Sequence, residues 1–100
     1  MKNLLITAIL ATGAIQSVHA TGLHTCDSGD KANWQSISAL QEKLDKEGWE
    51  VRKIKEDGGC YEVYATTPQG QRGEAYFHPE TFELELIARR GKILFEKSDE

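Results

Sequence analysis

The chain has 100 residues, 39% hydrophobic and 28% charged, which is the size and make-up of one small soluble globular domain and excludes a multidomain enzyme. With 12 basic and 16 acidic side chains the formal charge is −4, so the positive surplus of a nucleic-acid-binding surface is missing.

Residues 1–20 have the three-part grammar of a secretory signal. Lys2 supplies a positive start, residues 4–15 form an uncharged apolar run, and Val18-His19-Ala20 offers the residues a signal peptidase reads. The run is shorter than the roughly 20 apolar residues a membrane-spanning helix needs, so a cleaved signal is expected rather than a stable membrane anchor. A lipid anchor is not expected either, since Thr25 stands before Cys26 where a small residue would be required. Cleavage after Ala20 leaves a single domain of 80 residues, 21–100, carrying 11 basic and 16 acidic side chains and a charge of −5.

A domain of that size has a thin core, worth roughly 3 to 5 kcal/mol net, and usually carries a staple. Cys26 and Cys60 are its only cysteines. A chain sent to an oxidising compartment is expected to join them in a disulfide, worth roughly 3 to 4 kcal/mol by loop closure. Metal ligation and a free thiol pair are the alternatives. The two do not form a Cys-x-x-Cys, so redox catalysis lacks its usual geometry.

Residues 21–33 are polar and rich in Gly, Asp and Ser, which predicts an irregular arm pinned at Cys26. An amphipathic helix of about three turns follows. Ser36 or Ser38 can cap it, Ser38 with Gln41 fitting a capping box. Ile37, Leu40 and Leu44 share one face, and Gly48 supplies the left-handed stop. Beyond Gly48 the period falls toward 2. In the strand at 49–55, Val51 and Ile54 stand three apart, which asks for a bulge or a change of partner. Asp57-Gly58-Gly59 is a strong hairpin turn. In residues 60–66, Tyr61, Val63 and Ala65 share one face, and Cys60, Glu62, Tyr64 and Thr66 the other. A turn through Thr67-Pro68-Gln69-Gly70-Gln71 leads to a strand at 72–78 with Ala75 and Phe77 on its apolar face.

Matching the apolar faces of these two strands predicts Val63 opposite Phe77 and Ala65 opposite Ala75, with the loop centred on Gly70. That register sets Tyr64 against Tyr76 on the opposite face and brings Glu62 near His78. The group, with Arg72, reads either as ordinary cross-strand decoration or as a partner-binding patch. After Pro79-Glu80-Thr81, residues Phe82, Leu84 and Leu86 alternate with Glu83 and Glu85 as a strand does, and a further hairpin is expected to turn at Arg90-Gly91. The elements predict an α+β fold, with one amphipathic helix packed on a small antiparallel sheet of three to four strands.

A cysteine before a helix start at Trp34, Gly48 followed by an aromatic, Val51-Arg52-Lys53-Ile54, Gly59-Cys60-Tyr61-Glu62-Val63-Tyr64-Ala65 and the Pro79-Glu80-Thr81 turn together resemble a PepSY-type domain. The likeness is to small secreted bacterial proteins built from a single such domain. Members often carry Asp-Pro-x-Thr-Gly at the last turn, where this chain has His78-Pro79-Glu80-Thr81-Phe82 and so lacks the Asp and the Gly. The resemblance implies a helix on an antiparallel sheet and an envelope protein with a role in inhibiting, regulating or helping to fold a protease. It carries over no catalytic residue.

The search for chemistry agrees. His19 leaves with the signal, His24 lies in the arm and His78 precedes a proline, so no pair has zinc-site spacing. The carboxylates alternate as on a solvated sheet face, and no phosphate loop or nucleophile motif is present. The expectation is a non-enzymatic, cofactor-free periplasmic or secreted protein-binding module whose partner is an envelope protein such as a peptidase. It would bind through Tyr64, Tyr76, Arg72, Glu62 and His78. The alternative is a small-ligand or metal-binding envelope protein acting as carrier or sensor.

Overall fold

The computed structural model describes residues 22–98; the expected signal at 1–20 lies outside them. After a 3-10 turn at Lys31–Asn33 the chain forms α1 (Ile37–Lys46), β1 (Glu50–Asp57), β2 (Cys60–Thr66), β3 (Arg72–Phe77), β4 (Leu84–Arg89) and β5 (Lys92–Glu96). The strands make one antiparallel sheet in the order β1-β2-β3-β4-β5. The fold is α+β, but the sheet has five strands rather than three to four, because the hairpin at Arg90-Gly91 adds β5 to the edge of β4. Both turn residues have positive φ, 54° and 82°, the geometry that matches the twist of a two-residue hairpin. Among the described residues no helix is long and apolar enough to cross a membrane.

Helix α1 begins at Ser36, whose hydroxyl accepts from the Ala39 N–H at 3.0 Å. Ser36 is thus the cap, and Ser38 lies inside the helix. At the other end Gly48, at φ 94°, lets its own N–H reach the Asp45 carbonyl and that of Trp49 reach Leu44, which is a Schellman stop. Leu40 and Leu44 are fully buried against Tyr61, Val63, Ala65, Ala75, Phe77, Phe82 and Ile87. Ile37, expected on the same face, is 39% exposed at the first turn. Trp34 and Trp49 close the core, each ring meeting a sheet aromatic edge-on at 5.5 Å, Tyr61 and Phe77 respectively.

The uneven spacing of Val51 and Ile54 is resolved by a bulge between Val51 and Lys53. In the β2–β3 pair the apolar faces coincide as expected, but the register differs. Val63 lies opposite Ala75, Tyr61 opposite Phe77, Glu62 opposite Tyr76 and Tyr64 opposite Glu74. The slip is two residues, which preserves every face while changing every partner. Its cause is the loop. Gly70 donates to the Thr67 carbonyl at 2.8 Å, so Gly70 ends a turn with Pro68 at its second position, and the five-residue connection centres on Gln69.

A second irregularity lies in β4, where Tyr76 opposes Leu86 but Phe77 opposes Leu84, leaving Glu85 as an extra residue. The bulge moves Leu86 away from Leu84's face. Leu84 packs on the helix core, whereas Leu86 joins Cys26, Cys60, Tyr76 and Ala88 on the opposite face. Phe82, standing where the related motif has Gly, adopts φ 65°, a conformation that costs a non-glycine residue about 1 kcal/mol. Its ring is buried in the core, which offsets that cost.

Candidate functional site

The face of the sheet away from α1 is partly roofed by the arm. Cys26 and Cys60 form a disulfide with their Cα atoms 5.1 Å apart, and the Cys26 N–H donates to the Gly58 carbonyl at 2.9 Å. The hairpin glycines make this close crossing feasible, since a Cβ on Gly58 would stand 2.7 Å from the His24 carbonyl oxygen. His24 reaches β4, with its Nε2 2.7 Å from Glu85 Oε1, and its ring meets Tyr76 at 6.0 Å.

This roof decides the fate of the expected patch. Tyr76 and Glu62 are fully buried, joined by a 3.2 Å hydrogen bond from the Tyr76 hydroxyl to Glu62 Oε2, and so offer no surface to a partner. Tyr64 stays half-buried, its ring flanked by the Lys53 and Lys55 ammonium groups, each 5.8 Å from the centroid. Arg72 is exposed at the start of β3. His78 does not meet Glu62. Its Nδ1 accepts from the Glu80 N–H at 3.1 Å, so Nε2 carries the proton and donates to the Asp27 carbonyl at 3.2 Å. It is a clasp between the arm and the Pro79 turn. The structure therefore brings Tyr76 and Glu62 together inside, leaves Tyr64 and Arg72 outside, and places His78 elsewhere.

Burial lifts the Glu62 carboxyl above the ordinary carboxylate range, against the opposing pull of the Tyr76 hydroxyl and Lys55. Burial, reinforced by the nearby Glu62 charge, pushes Tyr64 up to about 12 and raises Tyr76 as well. Both phenols thus stay protonated and able to donate. A carboxyl whose pKa is higher folded than unfolded binds extra protons in the native state. Its contribution is complete below the ordinary carboxylate pKa and is lost as pH rises through the raised value. Glu62→Gln should therefore stabilise the protein at neutral pH by on the order of 1 kcal/mol and flatten the decline in stability above about pH 4. Urea midpoints across pH measure this. A variant less stable than wild type at neutral pH would show instead that the Lys55 contact favours the ionised form.

Beneath the arm, a 570 Å³ cavity is lined by His24, Asp27, His78, Glu85 and Lys97, among others. The His24–Glu85 pair orients an imidazole there, but the cysteines beside His24 are bonded to each other and supply neither a thiolate nucleophile nor thiolate metal ligands.

The open feature of the molecule is β5, which sequence reasoning did not single out. All five of its residues are exposed, including Ile93 at 44%, Leu94 at 37% and Phe95 at 43%. At the other edge, β1 carries Arg52, Lys53, Lys55 and two glutamates, the charged side chains with which sheets discourage edge pairing. The signal for β5 was available in the run Ile93-Leu94-Phe95, but only the strand order shows that, among the described residues, no strand pairs with its outer edge.

The family model for the peptidase propeptide and YPEB domain, PepSY_2, matches residues 4–85. The chain belongs to the PepSY family. PepSY domains are generally non-catalytic, propeptide- or inhibitor-like modules, typically extracellular or periplasmic. The match ends as β4 begins, so β5 lies beyond it. No curated protein and no solved structure matches the chain.

Proposed function

We propose that the protein is an envelope or secreted regulator that binds a peptidase by taking an extended segment of it onto the free edge of β5. Residues 1–20 would direct it out of the cytoplasm, into surroundings where the Cys26–Cys60 disulfide persists. The observation that carries the reading is the exposed Ile93-Leu94-Phe95 edge on a PepSY domain. Main-chain pairing at such an edge supplies affinity and the alternate side chains supply selectivity. Tyr64 and Arg72 are proposed as secondary contacts, Tyr and Arg being frequent in binding hot spots.

The test is inhibition of secreted metallopeptidases from the same organism by the purified, oxidised protein. Wild type should slow peptide hydrolysis, and the Leu94→Lys, Phe95→Lys double variant should weaken that effect by a factor of about ten or more. Both side chains are exposed, so the fold should survive, as circular dichroism would verify. Full inhibition by the double variant would move the docking site off β5. No effect of wild type on any of the peptidases would overturn the regulatory reading.

A further inference from the structure

The sequence contains four arginines, Arg52, Arg72, Arg89 and Arg90. They come from β1, from the start of β3, and from the end of β4 with its turn. All four line a single 230 Å³ cavity, together with Gly73 and Glu74. In a chain with surplus acid, random placement would scatter these groups among carboxylates. Instead, the ion pairs among the described residues use lysines and a histidine, and no arginine. The one hydrogen bond found for an arginine side chain runs from Arg52 to the Thr66 hydroxyl at 3.4 Å. Four cationic side chains lining one cavity with no ion pair among the described residues repel one another, and a bound anion relieves that repulsion. Arginine's planar fork of donors suits tetrahedral oxyanions best.

Glu74 narrows the choice of anion. Its Oε1 is buried and accepts no hydrogen bond, and such an unpartnered acceptor favours an anion that brings it a hydrogen-bond donor over one that brings only acceptors. Sulfate carries none. A phosphomonoester has lost its own well above its second pKa of about 6, whereas inorganic phosphate at the same pH retains one, as monohydrogen phosphate. We infer that this cavity is a binding site for inorganic phosphate, with the arginines neutralising its charge and Glu74 accepting its remaining proton.

The site rests on side chains outside β5 and stands or falls separately from the peptidase reading. Calorimetric titration of the purified, oxidised protein at about pH 8, where monohydrogen phosphate dominates, should show saturable binding of phosphate. Sulfate and methyl phosphate should bind more weakly by a factor of about ten. The Arg72→Gln, Arg89→Gln double variant should lose about tenfold in phosphate affinity, and Glu74→Gln should narrow the gap between phosphate and sulfate. Both arginines are exposed, so a folded variant is expected, and its circular dichroism verifies it. Absence of saturable phosphate binding, equal binding of sulfate by wild type, or indifference to the arginine substitutions would each overturn the assignment.

Discussion

Replacing Cys26 and Cys60 by alanine is expected to cost the fold about 2 to 5 kcal/mol. The bond spans 34 positions, so it removes a substantial loop entropy from the unfolded chain. It also joins two buried residues, Cys26 at 5% and Cys60 at 0% exposure, at the centre of the smaller hydrophobic cluster with Tyr76, Leu86 and Ala88. The arm has no strand or helix of its own across that cluster. Beside the disulfide it is held by hydrogen bonds from the Cys26, Gly22 and Gly29 N–H groups to Gly58, Asp57 and Glu80, by the His24–Glu85 and Lys31–Glu56 pairs, by the His78 clasp and by the packing of Leu23. Without the covalent tie those mostly exposed, mostly polar contacts must carry the ordering entropy of the arm, about 1 to 2 kcal/mol for each backbone residue fixed. The arm should then detach more readily than the sheet unfolds. Urea denaturation with and without reductant, followed by tyrosine fluorescence and by proteolysis near His24, measures both effects. Equal midpoints would show that the disulfide does not support the fold.

The second large effect is expected at Leu44→Ala, which should destabilise by about 2 to 5 kcal/mol. Leu44 is fully buried in the main core. Its carbonyl also accepts from the Trp49 N–H at 3.0 Å in the stop that turns the chain from α1 into β1. Truncation leaves a void between helix and sheet that the short α1 cannot close without shifting this turn. A domain of this size has little more net stability than that, so the variant should be substantially unfolded at moderate temperature. Ile37→Ala, at the 39% exposed first turn, serves as the control and should cost less than about 1 kcal/mol. A thermal melt of each separates them. Similar midpoints would mean that α1 does not lie on the sheet through Leu40 and Leu44.

Local chemistry made much of this architecture readable in advance. Gly48 after an amphipathic run, paired glycines at 58 and 59, and Arg90-Gly91 between apolar runs each specify a backbone conformation that short-range sterics enforce. The inner face of β2 was readable for the same reason, since alternation has a period of 2 whatever strand lies opposite. What failed was the partner. A two-residue slip between β2 and β3 leaves each hydrophobic pattern satisfied, so parity could not distinguish Val63 opposite Phe77 from Val63 opposite Ala75. The answer depended on Thr67 and Pro68 starting the turn.

The same failure carried into the candidate site. Setting Tyr64 against Tyr76 suggested an aromatic surface patch, whereas Tyr76 opposes Glu62 under the arm. Periodicity assigns a residue to the face away from the helix, but it does not say whether that face meets water. Here a polar, irregular segment tied down by one disulfide covers part of it, and polar composition gave no hint of a roof.

The sequence by itself determined the helix and its stop, the turns at Gly58-Gly59 and Arg90-Gly91, the inner face of the central strands and, for the only two cysteines, the one disulfide they could form with each other. All of these follow from steric, periodic or covalent constraints between residues close in the chain, or from there being a single choice. Tertiary structure alone decided the β2–β3 register, the bulge that turns Leu86 away from Leu84, the burial of Tyr76 and Glu62, the place of β5 at the edge of the sheet and the lining of one cavity by four arginines from three strands and a turn. Each of these depends on which distant segments come to lie side by side, a choice that many weak contacts make together and that no local pattern encodes.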